Sequence, residues 1–214
     1  VQEVIAAFPK QDLPPLYLTR NSKGPITLYE KNLRGETVIH LSCAGNYWAQ
    51  YVYQFAHELM HVRMNSEAKK QSARWLEETF CEAASLYALR KLSIKWRDHA
   101  PFPTWRDYRH KLHNYANAVI SSRKSLKPEE LFLFYDKHRT SLKKNGTQRQ
   151  LNGAIAATLL PLMEEAPERW TTLSSFHRSK NDAPFLSREF FIHRLRRLTQ
   201  ISLGSEKRAY SPCF

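Results

Sequence analysis

The amino-acid sequence predicts an α+β fold in which a small N-terminal β-sheet packs on a predominantly helical remainder. Three observations carry this reading. The first third alternates short β-rich runs with turn residues. From Tyr47 onward the apolar residues recur at helical spacing. No Gly-, Pro- or polar-rich stretch is long enough to mark a linker, so the 214 residues read as a single domain. Its parts are a strand-rich stretch over 1–45, a helical one over 46–92 and a basic helical one over 93–214.

The strands are expected at "PLYLTR" (15–20), "PITLYE" (25–30) and "ETVIHLSC" (36–43), separated by the turn sequences "NSKGP" and "NLRG". Asn46 stands where a helix N-cap would. The helix it opens runs from Tyr47 to about Met64 without Gly or Pro, with Trp48, Val52, Phe55, Leu59 and Val62 at helical spacing. "NSEAKKQS" (65–72) breaks it. A second helix is expected from about Ala73 to Leu92, with Leu76, Phe80, Ala83, Ala84 and Tyr87 as its buried stripe. "APFPTW" (100–105) reads as a proline-bearing loop. Further helices are expected near 104–121, 128–138, 149–165, 167–175 and 186–200, with Pro128, Pro167 and Ser187 at expected starts.

Composition narrows the function classes. Apolar residues make up 42% and aromatics 12%, enough for a packed core. No apolar run approaches the ~20 residues that span a bilayer. The opening "VQEVIAAFPKQDLPP" lacks a charged start followed by an apolar block, so no signal peptide is expected and a soluble, cytoplasmic protein is the favoured expectation. Cys43, Cys81 and Cys213 show no CxxC spacing, which excludes a cysteine-rich zinc site or a disulfide framework. Cys81 reads as a buried small hydrophobe. "NGT" (145–147) has the form of a glycosylation acceptor but reads as a turn.

The net charge of +13 is uneven. Residues 1–107 carry 14 basic and 11 acidic side chains, whereas residues 108–214 carry 19 and 9. A basic half of this kind suits an anionic partner, either an acidic protein or nucleic acid. No zinc-finger spacing or RNP-like aromatic strand accompanies it.

The chemistry is concentrated in "HELMH", His57 to His61. Positions four apart lie on one helical face, so His57 and His61 can aim two imidazole nitrogens at one point. Glu58 is offset by roughly 100°. It therefore stands outside the metal's ligand set but within reach of an activated water, as a general base. A catalytic zinc needs a third protein ligand. The sequence after the motif, "HELMHVRMNSE", carries neither the glycine nor the third histidine of the HExxHxxGxxH pattern. "WLEETFCEAASLYAL" offers Glu77, Glu78 and Glu82 instead. Glu78 and Glu82 share a helical face and Glu77 points elsewhere, so one of the pair can ligate while the other hydrogen-bonds the far nitrogen of a ligand histidine.

"HELMH" followed by "WLEETFCEA" resembles the gluzincin group of zinc metallopeptidases, whose second motif is written WLxEGxA or ExxxD. The strand–helix–helix layout over about residues 38–92 is similar to the minimal metallopeptidase domains of the ImmA/IrrE type. Matching Trp75 and Leu76 to that motif implies one Zn²⁺ held by His57, His61 and Glu78, with Glu82 as the acid behind a ligand. It also implies a zincin-like fold and a peptidase that acts on a protein or peptide substrate, with Glu58 as general base. The alternative is a zincin-like module without peptidase activity that binds protein or nucleic acid. His110, His113, Tyr115, His138, His177 and His193 are all open candidates for an oxyanion-stabilising group, and none is singled out.

Overall fold

A computed structural model describes residues 1–64 and 74–173. The expected break at 65–72, the helix near 186–200, and His177, His193 and Cys213 lie outside the described residues.

Three strands form one mixed sheet: β1 (Leu16–Arg20), β2 (Ile26–Lys31) and β3 (Thr37–Leu41), in the order β1-β3-β2. β3 is central. It runs parallel to β1, with Leu16 opposite Thr37, and antiparallel to β2, with Thr27 opposite Ile39. Four of its five residues are buried, as its apolar "TVIHL" requires. The β2–β3 hairpin turns on Asn32, whose side-chain oxygen accepts from the backbone N–H of Arg34 and Glu36, both at 3.0 Å. Gly35 supplies the left-handed backbone there, with φ +75°. Among the described residues β2 pairs only with β3, which leaves its outer edge open.

Seven α-helices stand among the described residues. The first, α1 (Gln2–Ile5), was not expected; it is one turn long, and Glu3 ties it to the chain by accepting from Trp96 Nε1 at 2.9 Å. The next two, α2 (Trp48–Arg63) and α3 (Arg74–Lys95), fall where the periodicity placed them. Asn46 does not cap α2: the cap position is Tyr47, and no side-chain hydrogen bond closes it. The expected helix at 104–121 divides into a 3-10 segment, Pro103–Tyr108, and α4 (Arg109–Ser121). A second short 3-10 turn, Pro128–Glu130, leads into α5 (Leu131–Lys144). After these come α6 (Arg149–Glu165) and the single-turn α7 (Arg169–Thr172). "NGT" is a turn, in which Asn145 Oδ1 accepts from the backbone N–H of Thr147 at 3.1 Å.

The helix α3 is the axis of the molecule. It packs along α2 on one side and along α6 and α4 on others. Enclosure on all sides buries Phe80, Cys81, Ala84, Leu86, Leu89 and Leu92. Each fully buried leucine contributes about 1.5–3 kcal/mol of transfer free energy. Enclosure also buries polar residues, which must find partners within the protein. Thr79 Oγ1 donates to Trp75 O at 2.7 Å, and Ser85 Oγ donates to Tyr53 O at 2.9 Å. Glu77 and Glu82, both below a tenth exposed, find theirs at the site described next. A T-shaped contact of Phe8 and Trp170, both against Tyr87, closes the far end of the core.

Candidate metal centre

Helix α2 presents His57 and His61 on one face, with ring centroids 5.2 Å apart. The carboxylates of α3 face them across the seam between the two helices. Glu78 Oε2 lies 3.4 Å from His57 Nε2, and Glu77 Oε1 lies 2.5 Å from His61 Nδ1. The strand β2 closes a third side. There Thr27 Oγ1 donates to Glu58 Oε2 at 2.9 Å and also contacts Glu58 O at 3.1 Å. Glu58 is thus buried and pinned between strand and helix. Thr27, His57, Glu58, His61 and Glu78 share a cavity of about 490 Å³, which Tyr29, Arg74 and Arg149 also line.

The electrostatics follow from burial and pairing. Burial alone pulls His61 down, but the hydrogen bond and charge of Glu77 outweigh it and hold the imidazole above its ordinary value. Burial pushes the Glu78 carboxyl up, whereas hydrogen bonding and charge from His57, with His61 and Arg74 behind, hold it below the usual glutamate range. Burial, reinforced by Glu77, pushes the Tyr29 phenol up to about 12, so it stays a hydrogen-bond donor at neutral pH.

The donor set suits a divalent cation. Ligand atoms of His57, His61 and Cys81 all lie within 4.8 Å of one another. Around a tetrahedral zinc at ~2.0–2.3 Å, such atoms stand about 3.3–3.8 Å apart, so a small contraction suffices. Glu78, next to His57, supplies a carboxylate on the same side. His61 turns Nδ1 to a carboxylate and leaves Nε2 free, the arrangement that fixes a ligating tautomer. Three carboxylates, those of Glu58, Glu78 and Glu82, line the cavity and that of Glu77 stands behind His61, and a cation offsets their mutual repulsion.

His57, Glu58, His61 and Glu78, all singled out in the sequence, meet in this cavity. Glu82 lines it too but contacts neither histidine. Its carboxylate accepts from the Tyr53 hydroxyl and from Arg123 Nη2, the latter at 2.9 Å. The acid behind a histidine is Glu77, which the face-sharing argument had turned away. Adjacent residues diverge by about 100° on a helix. Two carboxylates straddling the seam can therefore each reach a different histidine of the neighbouring helix. Cys81 is fully buried as expected, but it lies beside the histidines.

None of the described oxyanion candidates lines the cavity. His113 bonds Asn117, His138 packs on Phe134, and Tyr115 packs edge-on to Tyr53. Sequence reasoning passed over Thr27, Tyr29 and Arg149, which come from a strand and from a helix start far along the chain. The only signal for Tyr29 was strand alternation, which sets it on the same face as Thr27.

No family model, curated protein or solved structure matches the chain. No helix among the described residues is long and apolar enough to cross a membrane.

Proposed function

We propose that the chain is a zinc-dependent peptidase that cleaves a protein or peptide substrate at this cavity. The observation that carries the reading is the placement of Glu58. On the helix that carries His57 and His61 it is buried and hydrogen-bonded to Thr27, and two carboxylates of a second helix face those histidines.

His57, His61 and Glu78 would hold the ion, and Glu77 would keep His61 in the ligating tautomer. A zinc ion in that position supplies Lewis-acid polarisation of the scissile carbonyl and an acidified water. Glu58, oriented by Thr27, accepts a proton from the attacking water as the new C–O bond forms. It then delivers that proton to the amine nitrogen as the C–N bond breaks. Tyr29 has a phenol to donate toward the developing oxyanion. The open edge of β2 runs beside the cavity and can pair with an extended peptide by strand addition.

Cys81 supports a second reading. With His57, His61 and Glu78 it would complete four ligands and leave no position for water, which makes a structural rather than a catalytic zinc.

The test of the peptidase reading is cleavage of a mixed peptide library by zinc-loaded protein. Cleavage that a chelator stops, that zinc restores and that Glu58→Gln abolishes supports it. A wild type that holds zinc but cleaves nothing under these conditions counts for the second reading.

A further inference from the structure

The acids that line the cavity are all engaged: Glu58 with Thr27, Glu78 with His57 and Arg74, and Glu82 with Tyr53 and Arg123. Of the two arginines that line it, one is not. Arg74 lies 3.5 Å from Glu78, but Arg149 makes no hydrogen bond or ion pair among the described residues.

Arg149 is nevertheless rigidly mounted. It is the first residue of α6, and the loop before it is clamped on α3. A Cβ at Gly146 would lie 2.7 Å from Arg74 Cβ and 2.8 Å from the Trp75 backbone nitrogen. Asn152 holds the loop from the other side. It is 3% exposed, and its Nδ2 donates to Gly146 O at 2.6 Å. Asn152 Oδ1 is buried and, among the described residues, accepts from no donor. One wall of the cavity therefore offers an unpaired guanidinium on an anchored stretch of backbone and, one helical turn away, an acceptor without a donor. A peptide carries both complements, a carboxylate and backbone N–H groups. An isolated inorganic anion carries only the first.

We propose that Arg149 and Asn152 form a specificity subsite for a carboxylate of the substrate, with Arg149 pairing the carboxylate and Asn152 Oδ1 accepting a neighbouring peptide N–H. This rests on the peptidase reading for its substrate class. The carboxylate belongs either to an acidic side chain or to the chain terminus. The net charge of +13 favours encounter with such acidic peptides.

The test uses zinc-loaded Glu58→Gln protein, so that binding is read without turnover. The probes are labelled hexa-alanine peptides with Glu, Gln or Lys walked through each position, prepared with blocked and with free C-termini. A charge-assisted pair contributes about 1.5–3 kcal/mol, which is roughly a 10- to 150-fold difference in Kd. We expect a preference of that order for Glu over Lys at one position, an inverted preference in Arg149→Glu, and partial retention in Arg149→Lys. If the terminal carboxylate is the ligand, free-ended peptides bind tighter than blocked ones whatever the side chain. Equal binding of all probes, or no binding of any, overturns the proposal. So does an Arg149→Glu change that weakens binding of every peptide equally, because the preference then does not rest on a carboxylate paired to Arg149. Failure of the parent reading looks different: the binding preference persists, yet wild type cleaves none of the peptides.

Discussion

Glu77 Oε1 stands 2.5 Å from His61 Nδ1, so a carboxylate of α3 holds the second histidine of α2 from behind. Removing such a partner typically lowers metal affinity 10- to 100-fold. Glu77→Gln is expected to weaken zinc binding by about that factor, with a smaller change in Glu82→Gln, because Glu82 contacts neither histidine. Competition against a chelating dye measures both.

The same contact sets a pH dependence. In the metal-free chain His61 is held above its ordinary value of 6.5 by Glu77, against the pull of burial. A folded-state pKa above the unfolded one contributes stability that is complete below about 6.5 and is lost as pH rises through the folded value. Zinc must displace that proton, so its binding strengthens over the same interval. Melting curves between about pH 6 and pH 8 should show Tm falling in chelator while the increment from added zinc grows. An increment that stays flat contradicts the assignment of His61 as a ligand.

Arg123 and Glu82 form an ion pair with side chains only 7% and 6% exposed. Truncating one partner of a buried pair costs about 3–5 kcal/mol, because the other charge is stranded. Arg123→Met is expected to lose stability of that order in urea unfolding. Gly153→Ala should act in the same direction, since a Cβ there falls 2.4 Å from Arg123 Nε and pushes the guanidinium off Glu82. The double mutant should then fall well short of the sum of the two losses.

Thr27 reaches from the sheet to the proposed base, 2.9 Å from Glu58 Oε2. Thr27→Val keeps the shape and removes the hydrogen bond. It is expected to lower kcat about tenfold with little change in KM and with zinc content retained, the pattern for a residue that orients a base. Equal losses in kcat and zinc content would assign Thr27 to folding of the site instead.

The histidine pair was legible because four-residue spacing on a helix fixes a shared face whatever surrounds it. The β-rich runs were legible for the same local reason. The division of labour among Glu77, Glu78 and Glu82 was not. It depends on how α3 crosses α2, and the middle turns of α3, buried from Thr79 to Leu89, have no solvent face from which a sequence could reveal its orientation. The start of α2 was misread because Asn46 matches a cap by type, yet the chain enters the helix one residue later. Arg149 lies 88 residues beyond His61, and only the packing of Gly146 on the first turn of α3 brings it to the cavity.

The most direct measurement is metal content by plasma mass spectrometry, on wild type, Glu78→Ala and Cys81→Ala purified without added metal. The account predicts about one zinc per chain in wild type and in Cys81→Ala, as a three-ligand catalytic site requires, and a marked loss in Glu78→Ala. A wild type that carries no zinc and takes none up when it is supplied contradicts the metal centre itself. Loss in both Cys81→Ala and Glu78→Ala contradicts the three-ligand set and turns the site into a structural one.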